Sequence, residues 1–250
     1  MKSTTLNNII SRHTDERRRN YILDNYTRIL ADVQYINSHY LSSTHPIDIL
    51  NIGSDPFLLE DLMQISYPSA YCITSVDIGS DWAAQYAAMY KHKLAICDIE
   101  KDLISEIIDL SKFKLVVMTE IFEHLRIDIL STLSNLYHSM PSESLVYITT
   151  PNFFSIKNLI YCLSKNRSGP IPLNQWKKLS NFGHMGHVRE YTLPEVIEMF
   201  DYCGFECLDK GYLNISSRRF SKSNALNEIQ KVLPLIIPRF SNSFYCLFRK

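Results

Sequence analysis

Five short apolar runs of β type recur along this chain, and segments with helical patterns separate them. The runs are Ile47 to Ile52, Tyr71 to Val76, Leu94 to Ile96, Leu115 to Met118 and Leu145 to Thr149. Strands that alternate with helices are typical of an α/β fold with a doubly wound, mostly parallel sheet. Such sheets bind ligands at the carboxyl ends of their strands, so the residues that follow the runs are the first candidates for a site.

A helical extension is predicted before the sheet, over residues 1–44. Its mostly apolar stripe, at approximately helical spacing, contains Tyr21, Ile22, Asn25, Ile29, Val33 and Ile36. Residues 45–250 are then predicted to form one domain. Within it, residues from about 153 to 182 break the alternation of strands and helices, because Gly169 and Pro170 interrupt it. We interpret this segment as an inserted lid.

The formal net charge is zero, but the charges are unevenly distributed. Residues 1–150 contain 12 Lys and Arg and 19 Asp and Glu, whereas residues 151–250 contain 14 and 7. A basic second half can attract an anionic substrate, although an ordinary solvated surface is the alternative interpretation. No apolar run approaches the roughly 18 residues of a membrane span, and the amino terminus lacks the apolar core of a signal peptide. The six cysteines form no C-x-x-C pair, so we expect reduced thiols in a cytoplasmic protein.

Gly53, Asp77 and Asp98 follow the first three runs. A glycine at the end of a strand lets backbone N–H groups approach a ligand closely. An acidic residue at the end of the next strand can accept both hydroxyls of a ribose, which is the role we predict for Asp77. Asp98 would then lie beside the adenine. Each aspartate alone is typical of a turn, but the three residues together favour a nucleoside pocket.

A second polar group follows the fourth run. Glu120, Glu123 and His124 fall at positions i, i+3 and i+4, so they would share one face if a helix began there. About 60 residues later, the segment from Gly183 to Thr192 brings two further histidines, His184 and His187. Carboxylates and imidazoles at strand ends favour a site for proton transfer or metal binding over a packed core.

These motifs resemble the class I S-adenosylmethionine-dependent methyltransferases, over about residues 45–212. Met-Thr-Glu-Ile-Phe-Glu-His-Leu125 is similar to the family's E-V-L-E-H-L segment, and Thr149-Thr-Pro-Asn152 is similar to its T-P-N segment. His187-Val-Arg-Glu-Tyr-Thr192 resembles a branch common in clusters for glycan and natural-product synthesis. The resemblance implies a Rossmann-like fold and S-adenosyl-L-methionine as cofactor. The implied cofactor-binding residues are Gly53, Ser54, Asp77, Ile78, Asp98, Ile99 and Thr119.

The loop after the first run departs from that family. Members usually have a sequence such as D-I-G-x-G-x-G, whereas this chain has Asn51-Ile-Gly-Ser-Asp-Pro-Phe57. Asp55 would place a carboxylate near the carboxylate of the cofactor's methionine moiety. We also expect Asp55 to be the N-cap of the next helix, with Pro56 in its first position. A methyltransferase-like partner protein without activity is therefore one alternative.

The E-x-x-E-H segment also resembles the small-RNA 3′-terminal 2′-O-methyltransferases. That resemblance implies a divalent metal, Mg²⁺ or Mn²⁺, held by Glu120, Glu123, His124 and His187. In metal-free relatives with the same segment, Glu120 instead lines the cofactor pocket. His187 or His184 would then be the general base, with Glu120 as a further catalytic residue nearby.

Our leading interpretation is an O-methyltransferase that acts on a sugar, a glycan or a related small-molecule hydroxyl. A metal-assisted methyltransferase of RNA 3′ ends is the alternative enzyme. The basic stretch from Lys157 to Lys178 favours that alternative. The neutral net charge and the lack of an obvious RNA-binding extension argue against a nucleic-acid partner.

Overall fold

The computed structural model describes residues 2–40, 45–166, 172–182, 186–215 and 225–250. Seven strands form one sheet: β1 (Ile47–Ile52), β2 (Tyr71–Asp77), β3 (Lys93–Ile96), β4 (Leu115–Thr119), β5 (Leu145–Pro151), β6 (Glu206–Leu213) and β7 (Ser243–Arg249). Their order across the sheet is β3-β2-β1-β4-β5-β7-β6. The first five strands in this order are parallel, whereas β7 is antiparallel to both β5 and β6. The predicted α/β fold with a mostly parallel, doubly wound sheet is confirmed.

The described helices are α1 (Lys2–Ser11), α2 (Glu16–Tyr40), α3 (Leu58–Ser66), α4 (Asp81–Tyr90), α5 (Ile104–Ile107), α6 (Ile129–Ser139), α7 (Ile156–Lys165), α8 (Pro172–Phe182), α9 (Leu193–Tyr202) and α10 (Ala225–Ile236). Helix α1 and helix α2 both lie within the predicted helical extension, whereas the sequence did not lead us to expect α10. Helix α5 is only a single turn, and a 3₁₀ turn over Leu110–Lys112 follows it. Among the described residues, none of the helices combines the length and the apolar character that crossing a bilayer requires.

Side chains alternate between the two faces of the sheet, as strand geometry requires. Leu50 and Ile52 of β1 belong to an apolar layer with α6 and α9, whereas Ile49 belongs to a layer with α1, α2 and α3. The predicted stripe of α2 lies against this second layer, and Ile22 and Val33 are fully buried there. The amino-terminal extension is therefore part of the packed core.

Two charged side chains are buried on the inner face of α2. Arg28 lies 3.1 Å from the carboxylate of Glu120, and Asp32 accepts a hydrogen bond from the hydroxyl of Tyr147 at 2.9 Å. Burial raises the pKa of Asp32 to about 7, although Arg28 and the Tyr147 hydroxyl both oppose the shift. The folded protein thus retains a proton on Asp32 that the unfolded chain loses at lower pH.

We expect the free energy of unfolding to fall between about pH 4 and pH 7 because Asp32 must ionise while buried. The stabilising contribution is fully present below the unfolded pKa and is lost as the pH rises through the folded pKa. Asp32→Asn mimics the protonated form, so it should match the wild type at pH 4. At pH 8 it should be more stable, by at most about 4 kcal/mol. Urea unfolding at both pH values measures this difference.

The control is Glu16→Gln, which removes an exposed carboxylate from the start of the same helix. It should show no such pH-dependent gain. Equal stability of Asp32→Asn and the wild type at pH 8 would contradict the assignment.

Candidate active site

The carboxyl ends of β1 to β5 meet at one edge of the sheet, because these five strands are parallel. At this edge the backbone of Gly53 has a φ of 82°, a conformation that favours glycine. A Cβ atom built on Gly53 would overlap Cδ1 of Ile121, so the glycine also permits a close approach between the two loops. Gly53 therefore lies at the predicted edge of the sheet, where both its backbone conformation and the contact with Ile121 favour a glycine.

Asp77 organises the loop that follows β1. Its Oδ2 atom accepts hydrogen bonds from the backbone N–H groups of Ser54 and Asp55, at 2.8 and 3.1 Å. Its Oδ1 atom makes one long contact, 3.4 Å, with the N–H group of Gly79. One carboxylate oxygen therefore holds the loop, and the other has capacity to accept a ligand hydroxyl.

The remaining residues that are predicted to bind the cofactor differ in their exposure to solvent. Ile78 is exposed, whereas Thr119 is buried at the end of β4 and Ile99 is partly buried. Asp98 pairs with Lys101 at 2.6 Å and accepts a hydrogen bond from the N–H group of Glu100. The structure joins Ser54 directly to Asp77, and the N–H group of Gly53 donates to the backbone oxygen of Val76 beside them. Asp98 makes its contacts within its own turn.

The prediction that Asp55 caps α3 is wrong. Helix α3 begins at Leu58, after Phe57 in a left-handed conformation, and no side chain caps it. The Asp55 carboxylate instead pairs with both Nε and Nη2 of Arg18, at 3.0 and 2.8 Å. Arg18 also lies over the ring of Trp82, 3.6 Å from the ring centroid. A cation from α2 thus neutralises the carboxylate that replaces a family glycine.

Phe57, which replaces another family glycine, is fully buried. Its ring stacks on those of His92 and Tyr86, at centroid distances of 5.3 and 5.4 Å. The bulk of this residue therefore packs behind the loop against α4, away from solvent. The loop departs from the family sequence in a way that the surrounding side chains accommodate.

The second half of the site gathers Glu123, His124 and His187. Their ligand atoms all lie within 4.8 Å of one another. Oε1 of Glu123 is 3.9 Å from Nε2 of His124 and 3.8 Å from Nε2 of His187. These three residues are therefore placed as a group of converging donors that could hold a divalent metal.

Glu123 is completely buried at the centre of this group. Its Oε2 atom accepts a hydrogen bond from the hydroxyl of Thr150 at 2.9 Å, whereas its Oε1 atom has no hydrogen-bond partner. Burial is the main cause that raises the pKa of Glu123 well above its ordinary value, and the nearby carboxylate of Glu120 raises this pKa further. A buried polar atom without a partner is costly in a folded protein, so this oxygen marks a place for a cation or a donor.

Further contacts fix the orientation of His187. Its Nδ1 atom lies 3.1 Å from Oε1 of Glu190, whose other oxygen accepts a hydrogen bond from the side-chain amide of Asn158. The N–H group of Val188 donates to the backbone oxygen of Glu123 at 2.8 Å, which joins the two loops. A carboxylate on one nitrogen of an imidazole orients the other nitrogen toward a substrate or metal.

Glu120 does not belong to the converging group, and the predicted helical face is wrong. After β4 the chain passes through Glu120 with a φ of 57° and then forms a 3₁₀ turn over Phe122–His124. The Glu120 carboxylate turns instead toward Arg28 of α2. His184 lies outside the described residues.

Several functional candidates were missed from the sequence. Arg18 and Arg28 each meet their acidic partner only through the fold, so spacing gives no direct signal for them. Glu190 could have been identified from the sequence, because it follows His187 by three residues in the same motif.

No protein-family model matches the chain, and no curated protein is significantly similar to it. Solved structures do share its fold. A methyltransferase that depends on S-adenosylmethionine, from Archaeoglobus fulgidus, has a TM-score of 0.58 and 15% identity over 92% of this chain and 99% of its own. The [4+2]-cyclase SpnF has a TM-score of 0.55 and 10% identity over 88% of this chain and 80% of its own.

The small RNA methyltransferase HEN1 gives a TM-score of 0.56 and 17% identity over 88% of this chain, but this spans only 25% of HEN1. At such identities the likenesses show the fold alone, and the cyclase illustrates that this fold does not dictate one reaction. The chain thus has the class I methyltransferase fold.

The converging donors lead to a metal-binding test that needs no substrate. If the group holds a divalent metal, as the metal-assisted alternative requires, Co²⁺ should bind and the visible absorption of the ion should change. His187→Ala and Glu123→Gln should each weaken binding by at least the roughly tenfold to hundredfold that loss of an orienting residue costs.

The control for this titration is His138→Ala, because His138 is exposed on α6 and lies outside the group. Its affinity for Co²⁺ should equal that of the wild type. Equal affinities for all four proteins would contradict a metal site at Glu123, His124 and His187.

Proposed function

We propose that the chain is an S-adenosylmethionine-dependent O-methyltransferase that acts on the hydroxyl of a sugar, a glycan or a related small molecule. One observation carries the proposal. The loop after β1, which Asp77 holds, suits a nucleoside and lies at the same edge of the sheet as Glu123 and His124, which follow β4. Glu123 and His124 meet His187 there in a group suited to proton transfer. Because β1 and β4 are neighbours in the sheet, a methyl donor held by the first half would face an acceptor held by the second.

The residues present fit the cofactor. Asp77 retains an oxygen for a ribose hydroxyl, and the exposed Ile78 beside it offers an apolar surface, with 53% of the residue accessible. Because Arg18 pairs with Asp55, the Asp55 carboxylate would repel the cofactor's methionine carboxylate less strongly than an unpaired carboxylate would. S-adenosylmethionine supplies an activated methyl group when it is bound.

The chain's own residues would align the acceptor and remove its proton. His187 is the proposed general base, because Glu190 holds its Nδ1 atom and leaves Nε2 directed toward Glu123. Placement of the hydroxyl in line with the methyl group and removal of its proton are the two tasks that such an enzyme must perform. Positioning by Glu190 and Asn158 supports both.

A metal-assisted methyltransferase of RNA 3′ ends is the second candidate. The unpartnered Oε1 atom of Glu123 favours it, as does the similarity in fold to a small RNA methyltransferase. Glu123, His124 and His187 would hold the ion, and a bound divalent ion lowers the pKa of a hydroxyl that it contacts. Glu120, paired with Arg28, would not contribute a ligand.

Cofactor binding tests the first half of the proposal. We expect the wild type to bind S-adenosylhomocysteine in isothermal titration calorimetry. Asp77→Asn keeps an acceptor for the loop but loses the charge, so it should weaken binding about tenfold, as expected for a charged hydrogen bond of roughly 1.5 kcal/mol.

Asp55→Asn gives an opposite expectation in the same titration. It removes a negative charge near the methionine carboxylate, so affinity should rise. No binding by the wild type at millimolar ligand would contradict the enzyme proposal and would favour a methyltransferase-like partner protein.

Methyl transfer tests the second half. With sugar acceptors and labelled S-adenosylmethionine, His187→Ala should lower the rate by about 10²–10⁴ through loss of a base, without a change in cofactor affinity. A chelator should leave the wild-type rate unchanged. Loss of activity with chelator, combined with transfer to RNA 3′ ends, would instead support the metal-assisted candidate.

A further inference from the structure

Glu100 connects two segments of the candidate site that are distant in sequence. It belongs to the turn after β3, which also contains Asp98, the residue predicted to lie beside the adenine. Its carboxylate reaches the loop between β4 and α6, just beyond His124. Neither the role predicted for Asp98 nor the role proposed for His187 makes use of this carboxylate.

One oxygen of Glu100 accepts hydrogen bonds from two consecutive backbone N–H groups. Its Oε1 atom lies 2.5 Å from the nitrogen of Arg126 and 2.6 Å from the nitrogen of Ile127. Successive N–H groups that point the same way form a concave binding place for an anion. Only 7% of the Glu100 side chain is exposed, and Nε of Arg126 lies 3.8 Å from its Oε2 atom. The Glu100 carboxylate therefore binds the loop and is largely withdrawn from solvent.

The turn that carries Glu100 is closed by its own hydrogen bonds. The N–H groups of Lys101 and Asp102 both donate to the backbone oxygen of Asp98 at 2.8 Å. In return, the Asp102 carboxylate accepts the N–H group of Asp98 at 2.8 Å. Because this turn directly follows a strand of the sheet, it holds the backbone of Glu100 in a fixed place.

The loop that Glu100 holds is less well secured by its own backbone. A 3₁₀ turn ends at His124, and the hydrogen bond that closes it, from the N–H group of Leu125, is long at 3.4 Å. The next local anchor is Asp128, whose side chain caps α6. The two N–H groups that Glu100 accepts lie between these points, so the carboxylate fixes the segment that directly follows His124.

The position of His124 matters because its ring packs edge-on against the ring of His187. The two ring centroids are 5.0 Å apart, and the ring planes are 85° apart. Both imidazoles also lie near Oε1 of Glu123. A displacement of His124 would therefore change the surroundings of the proposed base. Misplacement of about 1 Å at such a site can lower a rate about hundredfold.

We propose that Glu100 is a positioning residue that fixes His124 beside His187 by holding the two N–H groups that follow His124. The expected effect on the rate rests on the proposed methyltransferase function, whereas the expected effect on the two imidazoles does not. A side chain that still offers an oxygen acceptor in place of Glu100 should preserve the arrangement. A side chain without an acceptor should release it.

Nuclear magnetic resonance spectra of the imidazole rings in the full chain test this role without turnover. In Glu100→Ala the ring signals of His124 and His187 should both shift, whereas the signal of His138, exposed on α6, should not. The two held amide hydrogens should exchange at least about tenfold faster, because a charged acceptor is lost. Glu100→Met keeps the length of the side chain without an oxygen and should give the same result. Glu100→Gln keeps an oxygen and should resemble the wild type.

Two controls separate positioning from a general loss of stability. Asp109→Ala removes a carboxylate that accepts the N–H group of Ser111 in a different turn. It should leave the ring signals of His124 and His187 unchanged. In a His124→Gln background, Glu100→Ala should no longer shift the ring signals of His187, because Glu100 acts through His124.

The rate of methyl transfer gives the functional readout. Glu100→Ala should lower kcat by about tenfold to hundredfold, the affinity for S-adenosylhomocysteine should remain that of the wild type, and Glu100→Gln should restore most of the rate.

The proposal is overturned if Glu100→Ala and Glu100→Met leave the ring signals of His124 and His187 unchanged. It is also overturned if His187 shifts equally in the His124→Gln background, or if the ring signals shift while kcat does not fall. A wild type that neither binds the cofactor nor transfers methyl groups would remove the proposed function. The spectra would still decide whether Glu100 fixes His124.

Discussion

The buried residue Glu123 joins the three segments from which the candidate site is built. Its backbone oxygen accepts the N–H group of Val188, and its Oε2 atom accepts the hydroxyl of Thr150 from β5. Its remaining oxygen faces His124 and His187 without a hydrogen-bond partner. A buried polar atom in this state costs on the order of 1–3 kcal/mol. Such a cost is common at functional sites, where a ligand or ion completes the set of contacts.

The amino-terminal helix α2 supplies the charges that the sheet edge requires. Arg18 neutralises Asp55 in the loop after β1, and Arg28 lies against Glu120 after β4. Both arginines are held by a helix whose apolar stripe packs on the sheet. The extension is thus an integral part of the site. Its loss would expose apolar core and would also leave two carboxylates without their cations.

The sequence was sufficient for the five parallel strands because apolar runs and their polar ends follow simple periodicity. Asp77 could be singled out because it lies at a strand end, and His187 could be singled out because its motif resembles a methyltransferase motif. The roles of Glu120 and Asp55 could not be predicted. Each depends on an arginine of α2 that is distant in sequence, and Glu120 also depends on a left-handed backbone conformation that is uncommon outside glycine. The local sequence pattern predicted a helical face for Glu120 and an N-cap role for Asp55. In the structure each carboxylate instead forms an ion pair with an arginine of α2.

The central claim is that the cofactor half and the chemical half of the site face each other across one edge of the sheet. A crystal structure of the protein with S-adenosylhomocysteine tests it most directly. The account predicts that a ribose hydroxyl contacts Asp77 and that the sulfur atom is directed toward the space beside Glu123 and His187. Cofactor bound elsewhere, or a sulfur atom directed away from those two residues, would contradict the account.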